Sequence, residues 1–388
     1  MIVEPKFRGF ICTTSHPNGC RENVKRQVNY IESKEKLGNV KNVLVIGAGA
    51  GYGLASTIVA GLSCNANVLS ISFEREATEK RTASAGWYNT EAVKKTFKDK
   101  NLKYIKMNGD AFSDEIKAEA IENIKTEMGT VDLIIYSLAA PKRIIPKTGE
   151  VANSSLKPIG ESFSSKTIDF HTGKIFDVTI ESASKEEIDG TIKVMGGADW
   201  LLWMEALKSE NLLSDGAKTI AYSYLGPKIT DPIYKNGTIG AAKADLDVTA
   251  PKIDSMLSDI GGKAYVSVNK ALVTQASSAI PVISLYVSLL YKVMKVKGIH
   301  EGCIEQIYRL FEQLYGNEKL NLDDKGRIRL DDLEMREDVQ AEILATWPLI
   351  NSENVFDITD VEGFRSDFFK LFGFGFDNVD YTEDVAIK

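Results

Sequence analysis

Cysteine and histidine are scarce in this sequence. Its 388 residues hold four cysteines (Cys12, Cys20, Cys64 and Cys303) and three histidines (His16, His171 and His300). The cysteines are scattered and form no CxxC pair, so a Cys/His zinc cage has no support and no metal is expected. So few cysteines in a chain this long do not suggest a disulfide framework, and a reducing cytoplasm is the expected location. Long apolar runs are also missing. The most apolar stretch, Ala276 to Met294, is interrupted by serines and followed by basic residues. A bilayer span needs about 20 mostly apolar residues in a row, so a buried helix is expected there. The start carries Glu4, Lys6 and Arg8 and lacks the apolar core of a signal peptide. There is no basic excess either: 47 Lys and Arg against 54 Asp and Glu give a formal net charge of −7. That argues against a general nucleic-acid binder. With 44% hydrophobic and 26% charged residues the composition is that of an ordinary globular protein, which excludes disorder over most of the chain.

What is present is an alternation of apolar runs and helix-compatible segments. Val3 to Thr13 reads as a short strand or hairpin, and Arg21 to Lys36 as a polar helix. Val43-Leu44-Val45-Ile46 is a β-branched strand that ends in Gly47-Ala48-Gly49-Ala50-Gly51-Tyr52-Gly53 and passes into a helix beginning with Leu54. Further strands are predicted at 67–73, 104–107, 131–137, 219–224 and 264–268. Helices are predicted over 116–128, 199–209 and 241–257, with another starting near Ala276. Continuous apolar strands alternating with helices imply a parallel, doubly wound sheet with right-handed crossovers. Between Ala140 and about Ile192 the rhythm breaks. There, Thr167-Ile168-Asp169-Phe170 and Ile175 to Ile180 flank His171-Thr172-Gly173-Lys174 as a hairpin excursion. After Gly298 the chain reads as mostly helical. The expected fold is therefore α/β, a single enlarged Rossmann-like domain. Its parts are an N-terminal hairpin and helix (1–40), a dinucleotide-binding half (41–139), the excursion (140–192), a catalytic half (193–297) and a C-terminal helical extension (298–388).

The glycine-rich turn is the first chemical signal. Gly47-x-Gly49-x-x-x-Gly53 places its third glycine one residue later than the G-x-G-x-x-G spacing. A strand–glycine–helix turn still lets backbone N–H groups and a helix N-terminus approach a pyrophosphate. Glu74 ends the second strand, where a carboxylate binds the adenosine ribose hydroxyls and repels a 2′-phosphate, favouring NADH over NADPH. Arg75 and Arg81 lie close enough to oppose it. Asp110 ends the third strand within reach of an adenine amino group, and the small end of the fourth strand, Leu138-Ala139, would let the backbone pass a cofactor.

Tyr222, Tyr224, Tyr234 and Lys243 form the candidate catalytic group. A phenol has a reference pKa of about 10, and a neighbouring ammonium favours its ionised form. Tyr234 and Lys243 are nine steps apart, which on a regular helix is a rotation of about 900° and puts them on opposite faces. Asn236-Gly237 is a natural break, with Thr238 as a candidate cap. Tyr234 is therefore expected before the helix and Lys243 inside it.

Taken in order, GAGAGYGLAS from Gly47, Ser72-Phe73-Glu74, Gly86-Trp87-Tyr88-Asn89, Gly109 to Ser113, Tyr136 to Ala139, Val194 to Gly197, Tyr222 to Pro227, Tyr234-x8-Lys243 and Leu272 to Gln275 carry a resemblance over nearly the whole chain. The sequence resembles the NADH-dependent trans-2-enoyl-CoA and enoyl-acyl-carrier-protein reductases, enlarged members of the short-chain dehydrogenase/reductase superfamily. The resemblance implies that Gly47, Ala48, Gly49, Ala50, Gly51, Tyr52, Phe73, Glu74, Asp110, Ala111, Leu138, Ala139, Lys243, Leu272, Val273 and Thr274 bind NADH. It implies that Tyr224 holds the substrate and that Tyr234 donates the proton. Two positions depart from the family pattern: Gly49 where serine is frequent, and Thr57 where arginine is. The implied reaction is hydride transfer to C3 of an enoyl thioester, followed by protonation at C2, in fatty acid metabolism. Acyl-CoA and acyl-carrier-protein thioesters share the pantetheine arm, and both stay open as substrates, as does the preferred chain length. Two alternatives remain. A carbonyl (3-oxoacyl) reductase would usually have three residues between Tyr and Lys, and a non-catalytic NAD(H)-binding module would have no need of either residue. A monomer is preferred, because the added segments could cover the helices that often form dimer seams in this superfamily.

Overall fold

The computed structural model describes residues 1–8, 11–38, 40–275, 277–280 and 282–388. β1 (Phe7–Arg8) and β2 (Ile11–Cys12) pair antiparallel, and the link between them lies outside the described residues. α1 (Pro17–Glu32) begins before the expected Arg21 because His16 caps it, its Nδ1 accepting from the Gly19 N–H at 3.2 Å. Pro17 is tolerated in this first turn, where an N–H would have no helical partner.

The buried strand β3 (Asn42–Ile46) leads through the glycine turn into α2 (Gly51–Cys64). β4 (Asn67–Ser72), α3 (Ala85–Asp99), β5 (Tyr104–Asn108), α4 (Asp114–Glu127) and β6 (Val131–Tyr136) follow. α3 has no counterpart among the helices predicted from the sequence. Of its residues Tyr88, Val93 and Phe97 are buried apolar contacts, too few to give a clear helical period.

The excursion holds two hairpins rather than one. β7 (Lys142–Ile144) pairs with β8 (Val151–Asn153), and β9 (Phe163–Asp169) with β10 (Lys174–Ile180), the second being the hairpin legible in the sequence. α5 (Lys185–Met195) opens with a capping box between Ser184 and Glu187. α6 (Ala198–Ser209), β11 (Leu213–Ser223), α7 (Thr238–Met256) and β12 (Lys263–Val268) restore the alternation. α8 (Ile283–Val296) corrects the expected start near Ala276, a residue outside those described. Ser277–Ala279 form only a single tight turn, and Val282 stands at φ 72°, outside the helical region. α9 (Cys303–Tyr315), β13 (Ile328–Arg329), α10 (Glu337–Thr346), α11 (Val355–Ile358) and α12 (Val361–Lys370) complete the chain. β13 lies in the stretch read as mostly helical. With two residues, it is too short to show an alternating pattern.

Seven strands form one parallel sheet in the order β13-β12-β11-β6-β3-β4-β5. The chain winds outward from β3 through β4 to β5. It then returns to place β6 on the other side of β3 and continues through β11 and β12. The winding direction therefore reverses between β3 and β6, and a crevice opens there beyond the strand ends. α8 runs through the apolar core with Leu285, Tyr286, Leu289 and Leu290, packed against Phe364 and Phe368 of α12.

Candidate active site

The glycine turn leaves β3 at this switch point. Gly47 has φ +92°, and a Cβ there would lie 2.0 Å from the carbonyl oxygen of Ser137, at the end of β6. The two strand ends can approach this closely only because Gly47 has no side chain. The late third glycine has its own role: a Cβ at Gly53 would lie 2.0 Å from the Gly47 carbonyl oxygen, so Gly53 lets α2 fold back onto its own turn. Ala50 caps α2 without a side-chain bond, which leaves the first N–H groups of the helix free for a ligand. A Cβ at Gly51 would meet only Thr274 Cγ2, at 4.0 Å. The cradle is open, uncapped and lined by backbone, as a pyrophosphate requires, and it fits a dinucleotide.

Glu74 stands beside this turn. A Cβ at Gly49 would lie 2.1 Å from Glu74 Oε1, so a serine at Gly49 would force the carboxylate to shift. Ser84 donates to Glu74 Oε2. Burial pushes the Glu74 carboxyl above its usual range, opposed by Ser84 and by the charges of Lys106 and Arg75. Phe73 is 77% exposed, a flat ring open to a ligand. Asp110 Oδ1 accepts from the Phe112 N–H at 3.0 Å, turned toward its own loop. That loop is fixed from behind. The Ala111 carbonyl accepts from Lys117 Nζ at 3.0 Å and from Trp203 Nε1 at 3.1 Å. Lys117 in turn pairs with the fully buried Asp199 at 2.9 Å, to which Tyr136 and Arg143 also donate. Leu138 and Ala139 follow β6 on the opposite wall of the crevice.

Tyr222 is the penultimate residue of β11, and Tyr224 follows the strand end. Ser56 donates to the Tyr52 carbonyl, so its shared contact with the Tyr222 hydroxyl, at 2.6 Å, is one that Tyr222 donates. Lys243 projects from α7, and its ammonium donates to the Tyr222 carbonyl at 3.0 Å. Burial lowers its pKa to about 8. Tyr234 precedes α7 and Lys243 lies inside it, as the spacing requires. The cap is Gly237 rather than Thr238, because the Thr238 hydroxyl is drawn away to the Ser155 carbonyl at 2.5 Å. The Tyr224 and Tyr234 rings meet edge to face, with centroids 4.7 Å apart.

One electrostatic expectation is reversed. Both phenols are pushed above their ordinary value, by burial first and then by the charge of Glu334. Lys243 does not outweigh this: its ammonium is held by a backbone carbonyl.

Sequence reasoning missed Glu334 and Tyr286. Glu334 Oε1 accepts from the Tyr224 hydroxyl at 3.0 Å and from the Tyr286 hydroxyl at 2.6 Å, while Oε2 accepts from the Ala271 N–H at 2.7 Å. The loop beginning at Ala271 carries Leu272, Val273 and Thr274. It is pinned further by Tyr52, whose hydroxyl donates to the Lys270 carbonyl at 2.8 Å, and by Gln306, whose side-chain oxygen accepts from the Lys270 N–H at 2.8 Å. No local motif marks Glu334, which lies 110 residues from Tyr224.

Three family profiles match the chain. They are the trans-2-enoyl-CoA reductase catalytic region over residues 81–315, the NAD(P)H binding domain of trans-2-enoyl-CoA reductase over 2–79, and the enoyl reductase FAD binding domain over 322–385. A trans-2-enoyl-CoA reductase [NADH] from Clostridium perfringens is 63% identical over 388 residues, covering 100% of this chain and 99% of the relative. An enoyl-[acyl-carrier-protein] reductase [NADH] from Flavobacterium johnsoniae is 55% identical over 386 residues, covering 99% of this chain and 98% of the relative. The crystal structure of a Clostridium acetobutulicum trans-2-enoyl-CoA reductase in complex with NADH superposes with a TM-score of 0.97 at 47% identity, covering 100% of this chain and 98% of that one. The residues matched by the FAD profile do not fit a flavin dinucleotide here. They contain no glycine-rich strand-to-helix turn, and Phe364, Phe368, Phe372 and Phe374 are buried in the core around α8.

Proposed function

The chain belongs to the trans-2-enoyl-CoA reductase family, and on that premise we propose that it uses NADH to reduce the C2–C3 double bond of trans-2-enoyl thioesters to the saturated acyl thioester in fatty acid metabolism. The observation that carries this reading is the shared crevice. The uncapped glycine turn borders Thr274, and the loop holding Thr274 is joined through Glu334 to Tyr224 and its partner ring Tyr234. Bound there, NADH supplies a hydride to C3 of the enoyl group.

Gly47 to Tyr52 would cradle the pyrophosphate, with donation left to the N–H groups after Ala48, because those of Gly47 and Ala48 are taken by the Ile71 carbonyl, each at 2.9 Å. Phe73, Glu74, Asp110 and Ala111 would hold the adenosine end. Leu138, Ala139, Leu272, Val273 and Thr274 would line the nicotinamide end, with Lys243 donating to its ribose. Tyr224 donates to the thioester oxygen as negative charge develops on it, and Tyr234 delivers the proton that completes C2. Stabilising charge where it develops is usually the largest single term in catalysis. The raised phenol pKa values suit these roles, because a phenol that is to donate must keep its proton at neutral pH. Lys243 then serves the cofactor rather than the ionisation of the phenol.

Crotonyl-CoA, a longer enoyl-CoA and an enoyl-acyl-carrier protein should be assayed side by side with NADH. NADH oxidation is expected with crotonyl-CoA, and the ratio of kcat/KM values decides carrier and chain length. No oxidation with any of the three, or faster oxidation with a 3-oxoacyl thioester, would overturn the reading.

Glu74 supports NADH over NADPH. A carboxylate and a phosphate charge 4 Å apart repel by about 1 kcal/mol in water and about 4 kcal/mol near a protein surface. Glu74→Ala is therefore expected to narrow the NADH/NADPH preference in kcat/KM by roughly fivefold or more. Equal use of both cofactors by the native protein would remove this role. The scarcity of cysteine supports a cytoplasmic location, and the segments added around the sheet support a monomer.

A further inference from the structure

Glu334 occupies the turn between β13 and α10 and is fully buried. Its carboxylate faces Tyr224, Tyr286 and the backbone of Ala271, with the charges of Lys270 and Asp331 nearby. The turn is fixed, since Gln340 Nε2 donates to the Glu334 carbonyl at 2.7 Å. Each carboxylate oxygen has a separate duty. One accepts from the Ala271 N–H, at the root of the loop expected to border the nicotinamide, and the other from the hydroxyl of the substrate-holding tyrosine. A phenol has one proton to donate. While Tyr224 gives it to Glu334, it cannot give it to a thioester oxygen. When Tyr224 turns to substrate, Tyr286 and Ala271 still donate to the carboxylate, so no buried charge is left bare.

We propose that Glu334 is a positioning residue for the reduction. It holds the Tyr224 hydroxyl in register with the Ala271–Thr274 loop and yields that hydroxyl to the thioester oxygen when substrate enters. This rests on the reading of Tyr224 as the group that holds the substrate oxygen. Tyr286 is part of the same device, because it keeps the carboxylate solvated while Tyr224 is engaged elsewhere. The catalytic crevice is thereby closed from behind by the C-terminal segment, which contributes no residue to the motifs of the two halves.

Glu334→Gln tests this, because it keeps the size of the side chain but leaves only one accepting oxygen, which cannot serve both Ala271 and the phenols. kcat/KM for crotonyl-CoA should be measured in four proteins: native, Glu334→Gln, Tyr224→Phe and the double variant. NADH affinity by fluorescence quenching and the thermal midpoint should be measured alongside. The expected result is a fall of roughly tenfold or more for Glu334→Gln in the native background, the scale of a lost hydrogen bond to a charged group. In the Tyr224→Phe background the same change should cost less than about twofold, since the residue it acts through is already silent. An equal fall in both backgrounds would assign Glu334 a structural role only and overturn the proposal, as would native kinetics in Glu334→Gln. Glu334→Asp, which keeps the charge but shortens the reach, should recover less than half of the lost activity; full recovery would also count against it. If the native protein turned over none of the thioesters, the functional reading itself would have failed, a result distinct from additivity in the cycle.

Discussion

Tyr234→Phe is expected to lower kcat for crotonyl-CoA by roughly 10²–10⁴, the range typical of a positioned general acid. The substitution removes one oxygen and keeps the ring, so the edge-to-face contact with Tyr224 at 4.7 Å survives. The glycine turn is untouched, and NADH affinity should stay near native. Loss of a group that acts only in the transition state lowers kcat and kcat/KM together, whereas loss of uniform binding raises KM alone. Tyr224→Phe is expected to lower kcat as well and, in addition, to raise KM, because the hydroxyl proposed to stabilise the developing charge would also hold the thioester oxygen of the bound substrate. It should also leave the Glu334 carboxylate with Tyr286 and Ala271 as donors. A Tyr234→Phe protein that reduces crotonyl-CoA at close to the native rate would end the donor assignment. If Tyr224→Phe were then the inactive variant, the proton would be assigned to Tyr224.

Lys243→Ala is the second large effect. A half-buried ammonium donating to the cofactor ribose, as proposed for Lys243, would contribute a charge-assisted hydrogen bond of about 1.5–3 kcal/mol, so kcat/KM for NADH should fall by roughly 10- to 150-fold. A lysine merely solvated at the surface would lose almost nothing. The pH profile provides a separate check. Burial lowers the Lys243 pKa to about 8, opposed by the charge of Asp247. A lysine is charged below its pKa and neutral above it. The native kcat/KM for NADH, which reports groups of the free enzyme, should therefore hold below about pH 8 and decline above it. In Lys243→Ala that decline should vanish. A native profile flat through this range would separate Lys243 from cofactor binding.

The legible parts of this protein are those that short-range physics writes into consecutive residues. The strand at Val43–Ile46, the glycine turn and the start of α2 could be read because an apolar run, a set of glycines and a helical segment follow one another without interruption. The second hairpin of the excursion could be read for a similar reason, a polar turn motif at His171-Thr172-Gly173 between two apolar-containing runs, although the turn itself runs from Phe170 to Gly173 and Lys174 already pairs with Asp169. The placement of Tyr234 before α7 and Lys243 within it followed from helix geometry and one Asn-Gly break. By contrast, α3 buries few apolar residues, α5 lies where no strand–helix rhythm guides the eye, and β13 is two residues long. None of these carries enough periodicity to stand out.

The sequence alone determined most strands of the central sheet, the glycine turn, and the placement of Tyr234 before a helix and Lys243 inside it, because each depends on neighbours a few residues apart. Only the tertiary structure decided what surrounds them. It brought Glu334 onto Tyr224 across 110 residues of chain and joined both to the Ala271 loop. It also turned the phenol pKa values upward rather than downward. The physical reason is that desolvation and charge act through space. A phenol's acidity is set by what packs against it, and no pattern of adjacent residues records which carboxylate the fold will bury beside it.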